Sequence, residues 1–236
     1  MAYVDGFVAA VPAQNKDIYL AHAADAAALF HEFGATRVVE CWGDDVPEGR
    51  TTDLHRAVQA KDGEVIVFAW IEYPSKEVRD AVGQKMMSDP RTKAMSETMP
   101  FDAKRMIYGG FEVLQGQGRN GEMGYADGAL MAVPRTNRQA YLDFSENYAA
   151  VLRDCGANRV IEAWGDDVPE GKITDFPRSV KATSDETVVF SWIEWPSRVA
   201  RDAGWSKAME DPRMAQEMPF DGERMVHGGF VPILDR

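Results

Sequence analysis

Apolar and polar letters alternate through YVDGFVAAV at residues 3–11, a two-residue period that predicts a strand ended by Pro12. The period then changes. Tyr19, His22, Ala26, Leu29, Phe30 and Phe33 recur at helical spacing, which predicts a helix over residues 15–33 with Asn15 at its N-cap. RVVECWGDDV at 37–46 reads as a second strand entering a turn, and EVIVFAWIEY at 64–73 as a third, rich in β-branched and aromatic letters and broken by Pro74. HRAVQA at 55–60 falls in the hairpin region between them. Ser75 is placed to cap a second helix running toward Asp89-Pro90, where the proline forces a kink or a restart. RMIYGGFEVL at 105–114 closes the set as a strand. The order βαββαβ is that of a ferredoxin-like split unit.

The same pattern then returns. A shift of 122 positions superposes Tyr3-Val4-Asp5-Gly6 on Tyr125-Ala126-Asp127-Gly128, and the eight letters WGDDVPEG at 42–49 recur unchanged at 164–171. Roughly half of the aligned letters agree, far above chance for unrelated segments. After Arg213 the second copy is three residues shorter, and Met99-Pro100-Phe101-Asp102 then matches Met218-Pro219-Phe220-Asp221. The expected organisation is a first repeat over 1–114, a Gly-rich connector over 115–124, and a second repeat over 125–236. A βαββαβ sheet carries helices on one face and leaves the other needing cover. Two such sheets, laid face to face with helices outside, predict an α+β barrel of the dimeric type made by one chain, an internal pseudo-dimer with room for further homodimerisation.

Alternation assigns faces. Glu40, Trp42 and Asp44 share one side of the second strand, opposite the small apolar side of Val39, Cys41 and Gly43; Glu162, Trp164 and Asp166 repeat this. On the third strand Phe68, Trp70 and Glu72 share a side, as do Phe190, Trp192 and Glu194. Turning both rows toward the space between the sheets predicts an aromatic and acidic chamber, to which Tyr3, Asp5, Tyr125 and Asp127 would add if the Val4-Gly6-Val8 face lies under the helices. The candidate ligand-binding residues are therefore Glu40, Trp42, Asp44, Trp70, Glu72, Glu162, Trp164, Asp166, Trp192 and Glu194. In the repeated turn, Pro47 holds Val46 extended and Gly49 permits positive φ.

Composition narrows the chemistry. With 38 acidic against 26 basic residues the net charge is -12, which opposes binding to phosphate backbones and anionic membrane surfaces. No apolar run approaches the roughly 20 residues of a spanning helix, so the expected setting is cytoplasmic and the expected partner a small molecule. Cys41 and Cys155 fall at unmatched places in the repeat, and no histidine is shared by the copies. Neither a repeated thiol site nor a repeated His-based metal or nucleophile site is expected, and no cofactor is. Carboxylates desolvated beside aromatics rise in pKa and can serve as bases. The competing expectation is that Arg37, Arg56 and Arg105, repeated as Arg159, Arg178 and Arg224, pair with those acids and lock the halves together. A divalent cation on Glu40, Asp44 and Glu72 is a weaker option.

Taken with Trp70-Ile71-Glu72-x-Pro74-Ser75 and Met99-Pro100-Phe101-Asp102-x-x-Arg105-Met106, the Glu40-x-Trp42-Gly43-Asp44-Asp45-Val46-Pro47-x-Gly49 stretch resembles the uncharacterised YbaA-like bacterial family. Each half resembles one complete member. The resemblance implies a dimeric α+β barrel formed by two fused protomers and implies no established activity. Its wider superfamily holds cofactor-independent monooxygenases, haem enzymes and ligand-binding modules, an analogy of fold only. Three functions stay open: small-molecule binding in the central chamber, a cofactor-independent monooxygenase or isomerase with Glu40 or Asp44 as base, and a structural or adaptor protein.

Overall fold

The computed structural model describes residues 2–118 and 121–236. Each half lays down its elements in matching order. The first contains β1 (Tyr3–Pro12), α1 (Lys16–Phe33), β2 (Arg37–Asp45), a single-turn α2 (Leu54–Ala57), β3 (Glu64–Tyr73), α3 (Lys76–Ser88), α4 (Pro90–Glu97) and β4 (Ile107–Gly118). The second contains β5 (Tyr125–Pro134), α5 (Arg138–Asp154), β6 (Arg159–Asp167), α6 (Phe176–Ser179), β7 (Glu186–Trp195), α7 (Arg198–Ala208) and β8 (Val226–Asp235). The protein is α+β. Among the described residues, eight strands form one closed antiparallel barrel in the order β1-β3-β2-β8-β5-β7-β6-β4.

The halves join edge to edge, β2 on β8 and β4 on β6, which removes the open sheet edges that would otherwise invite aggregation. Part of the expected connector is therefore strand. Gln115 to Gly118 extend β4 and pair with β6 as far as Arg159, while Arg119 and Asn120 lie outside the described residues.

Local chemistry explains the helix starts. Ser75 accepts a hydrogen bond from the Val78 amide at the start of α3, and Asp89 accepts one from Arg91 where Pro90 restarts the chain as α4. Asn15 stands at the N-cap of α1, but its amide instead donates to the Pro100 carbonyl at 2.7 Å. The second copy restarts differently: three residues fewer leave only a 3-10 turn at Pro212–Ala215 in place of α4.

The interior is packed with aromatic rings contributed by both halves. Phe68 stacks on Phe190 with ring centroids 4.5 Å apart, and Trp70 on Trp192 at 4.7 Å. Gly128 and Gly6 make this approach feasible, because a Cβ would come within 2.8 Å of the Phe68 ring and 2.7 Å of the Phe190 ring. The expected central chamber is thus a filled core.

Strand register also corrects the facing of β2. Residues directly opposite on neighbouring strands share a face. Cys41 lies opposite Phe68 and Val39 opposite Trp70, so these small side chains point inward with the rings. Glu40 lies opposite Ala69, and with Trp42 it points outward beneath α1. On β1, Val4 and Val8 likewise face inward, which puts Tyr3, Asp5 and Phe7 outside.

Candidate functional site

The ten candidate residues divide among three environments. Trp70, Glu72, Trp192 and Glu194 lie at one end of the barrel interior. There Arg37 grips Glu194 of the other half through two bonds of 2.7 and 3.2 Å, and Arg159 grips Glu72 through bonds of 2.7 and 2.8 Å. The indole nitrogens of Trp70 and Trp192 donate to the same two carboxylates. Burial raises the Glu72 carboxyl, but the hydrogen bonds and charges of Arg159 and Arg37 outweigh it and hold the group below its ordinary value. This end is an inter-half clamp of the Arg-carboxylate kind.

Asp44 and Asp166 lie one residue before the ends of β2 and β6. Asp44 accepts from Tyr125 at 2.9 Å and from Arg198 at 2.7 Å; Asp166 accepts from Tyr3 at 2.9 Å and pairs with Lys76. Asp45 and Asp167 reach Arg201 and Arg79 in the same crossed fashion. The repeated WGDD letters therefore tie each half to a tyrosine and two cations of its neighbour. Glu40, Asp44 and Glu72, the weak divalent-cation option, point into three different surroundings. Among the described residues, no group of three or more His, Cys, Asp and Glu side chains could hold a metal ion.

Glu40, Trp42, Glu162 and Trp164 form the third environment, between the outer face of the barrel and the helices. Trp42 packs near Tyr19 of α1 under Lys16, and Trp164 near Tyr141 of α5 under Arg138. Tyr19 donates to Glu40 and Tyr141 to Glu162, each at 2.6 Å. In the second half Ser191 adds a donor to Glu162 at 2.9 Å, where Ala69 stands opposite Glu40 in the first. Glu162 is 2% exposed. Burial pushes its carboxyl up to about 7 against the pull of Tyr141 and Ser191, and burial pushes Glu40 to about 7 against Tyr19.

Glu162 opens onto a cavity of about 650 Å³ between the outer face of the second half's sheet and helices α5 and α7. Its floor spans three strands: Ser191 on β7 and His227 on β8 flank Ala129 on β5. Tyr148 of α5 and Trp205 of α7 line it from the helix side, their ring centroids 6.2 Å apart. Met209, Met214 and Met218 line it where the second copy lacks α4, and flexible thioethers suit a wall that adapts to its contents. Asp127 fixes the helix wall: Trp205, Trp195 and Arg201 donate to it at 2.8, 2.9 and 2.9 Å. Burial raises this carboxyl, and these three donors oppose the rise. The result is a largely apolar hollow with the buried acid Glu162 at its floor and Asp127, Ser191, Arg201, Asp202 and His227 as its other polar chemistry.

Of the ten candidates, this hollow takes in Glu162 alone. Tyr141 and Ser191 escaped sequence reasoning because each touches Glu162 only after β6 turns that side outward. A signal was present nonetheless, since a tyrosine recurs 21 positions before the helix-facing glutamate in both copies. The change from Phe7 to Ala129 was also visible.

The profile of the family described as "Protein of unknown function (DUF1428)" matches residues 2–103 and again residues 124–222. The chain belongs to this family. The paired match establishes the tandem duplication. The protein YbaA of Escherichia coli K12, itself described as uncharacterized, is 68% identical over 112 residues, which span 48% of this chain and 96% of YbaA. The same figures hold for YbaA of Shigella flexneri. Among solved structures, a "Putative monooxygenase" of Fusobacterium nucleatum aligns with a TM-score of 0.63 at 8% identity, covering 99% of this chain and 93% of that one. An anthrone oxidase-like protein gives 0.58 at 11% over 100% and 92%, and a second protein named as the Fusobacterium one, from Lactobacillus acidophilus, gives 0.57 at 6% over 100% and 96%. At such identities the likeness is one of fold. No helix among the described residues is long and apolar enough to cross a membrane.

Proposed function

We propose that this DUF1428 protein binds a small, largely apolar molecule in the hollow between the second half's sheet and helices α5 and α7, with Glu162 contacting a polar group of that molecule. The observation that carries this reading is the 650 Å³ cavity with a carboxyl 2% exposed at its floor. A cavity of this size suits a ligand of roughly drug-sized dimensions, and a few buried polar groups amid apolar walls, here Glu162, Ser191 and Asp127, orient such a ligand. Each half is read here as a ferredoxin-like unit whose outer sheet face and helices frame such a hollow.

Titration with the apolar fluorophore 8-anilinonaphthalene-1-sulfonate tests the site. Wild-type protein is expected to bind it, and Ala129→Phe, which puts a phenyl ring on the cavity floor, is expected to lower affinity at least tenfold with the fold intact. Equal affinity in the two proteins would remove the hollow as the binding site.

A second reading makes Glu162 a catalytic base, and its carboxyl near 7 favours that. A group split between acid and carboxylate at neutral pH can take a proton from an acidic C–H or O–H of a ligand and return it. The monooxygenase names of two fold neighbours are in keeping with such chemistry. Carbon-13 NMR of the side-chain carboxyls is the test: titration of Glu162 near 7 is expected, and titration near 4.5 would exclude the base.

A further inference from the structure

The second half's hollow has a counterpart in the first half, built on the same register. Across three strands the floor reads Ser191, Ala129, His227 in the second half and Ala69, Phe7, Tyr108 in the first. Where Ala129 leaves the floor open, Phe7 raises a ring that packs against the helix-covered cluster holding Tyr19 and Ala69. The helix side shows the opposite change. Tyr148 and Trp205, which line the hollow, stand where the first half has Ala26 and Gly83. Aromatic volume has moved from helices to floor. The first half also retains α4 over Pro90–Glu97, where the second has only a 3-10 turn and exposed Met209 and Met218. Yet Glu40 keeps the 2.6 Å bond from Tyr19 that Tyr141 gives Glu162, without the Ser191 donor and with part of its surface exposed.

We infer that the first half carries a latent copy of the ligand site, closed by Phe7, and that Phe7 sets the number of small apolar molecules the chain holds at one. The inference rests on the binding reading above and adds an occluding residue and a stoichiometry. The same class of ligand, an apolar molecule with one polar group for the glutamate, would enter the first half once the ring is gone.

Calorimetric titration of the full chain with 8-anilinonaphthalene-1-sulfonate tests it. Wild type is expected to take up one equivalent and Phe7→Ala two; one equivalent in both overturns the latent site and leaves the binding reading standing. Uptake by neither protein overturns both. A measurement on unaltered protein covers the case in which Phe7→Ala fails to fold. The fluorophore is expected to move the carboxyl carbon-13 signal of Glu162 and leave that of Glu40 in place, and comparable movement of both would overturn the closure of the first half.

Discussion

Glu162 shows how one side chain acquires unusual chemistry from its surroundings. An ordinary carboxyl titrates near 4.5; here burial lifts it to about 7, so the acid form is favoured in the folded protein at mild pH. The sign for stability follows. A group whose folded value lies above its unfolded one stabilises fully below about 4.5 and loses that contribution as pH rises through about 7. The displacement corresponds to about 3 kcal/mol, and most of it falls between pH 5 and 8. Glu162→Gln should therefore flatten the fall in stability between pH 5 and pH 8 by about 2 kcal/mol, measured by urea unfolding of both proteins. The same slope in both would refute the burial argument. Glu40 is more accessible, and the effect of Glu40→Gln should be smaller. Glu186, held down to about 2 by Arg224, titrates below this window and does not disturb the comparison.

Among the elements, loops and caps follow sequence most directly. Ser75, Asp89 and Pro90 start helices where their chemistry places them, and WGDDVPEG makes the same loop twice. Gly49 and Gly171 have a different role from that expected, because neither has positive φ. Each instead leaves room for a backbone carbonyl: a Cβ at Gly49 would strike the Thr52 oxygen, and one at Gly171 the Thr174 oxygen. Asp53 and Asp175 then accept from the two glycine amides and cap α2 and α6. Gly171→Ala should destabilise by about 2 kcal/mol through that collision, seen as a lowered thermal midpoint. An unchanged midpoint would mean that the loop yields freely. The facing of β2 and β6 was not legible. Alternation gives two faces, but choosing the inner one requires knowing which β3 residue lies opposite.

For the whole molecule, closure is decisive. Each half contributes four strands to one barrel, and its core rings stack on those of the other half. Neither half has a complete core or a paired set of edges by itself. Heat should therefore unfold the chain in a single transition with calorimetric and van't Hoff enthalpies equal; two resolved transitions would show independent halves. Arg37 holds Glu194, which is 1% exposed, so Arg37→Ala should cost about 3 kcal/mol by stranding a buried charge. Arg159 keeps one contact to Glu194 at 3.2 Å and limits the loss. Urea unfolding measures the difference, and a loss under about 0.5 kcal/mol, the size seen for surface pairs, would put that end of the barrel in water.

The amino-acid sequence determined the duplication, the order of strands and helices, the helix starts and the α+β class, because these depend on periodicity and on residues close along the chain. Arg-carboxylate pairing stood there as one of two expectations: Arg37 and Arg159 meet it across the halves, whereas Arg56 and Arg105 pair with Asp53 and Glu64 of their own half. Only the tertiary structure decided that the rings of Phe68, Trp70, Phe190 and Trp192 fill the barrel, that Glu40 and Glu162 turn beneath the helices, and that Ala129 and the methionines around the 3-10 turn line one hollow. Those outcomes depend on cross-strand register and on competition among side chains for one volume. Such quantities are fixed only when distant parts of the chain come into contact.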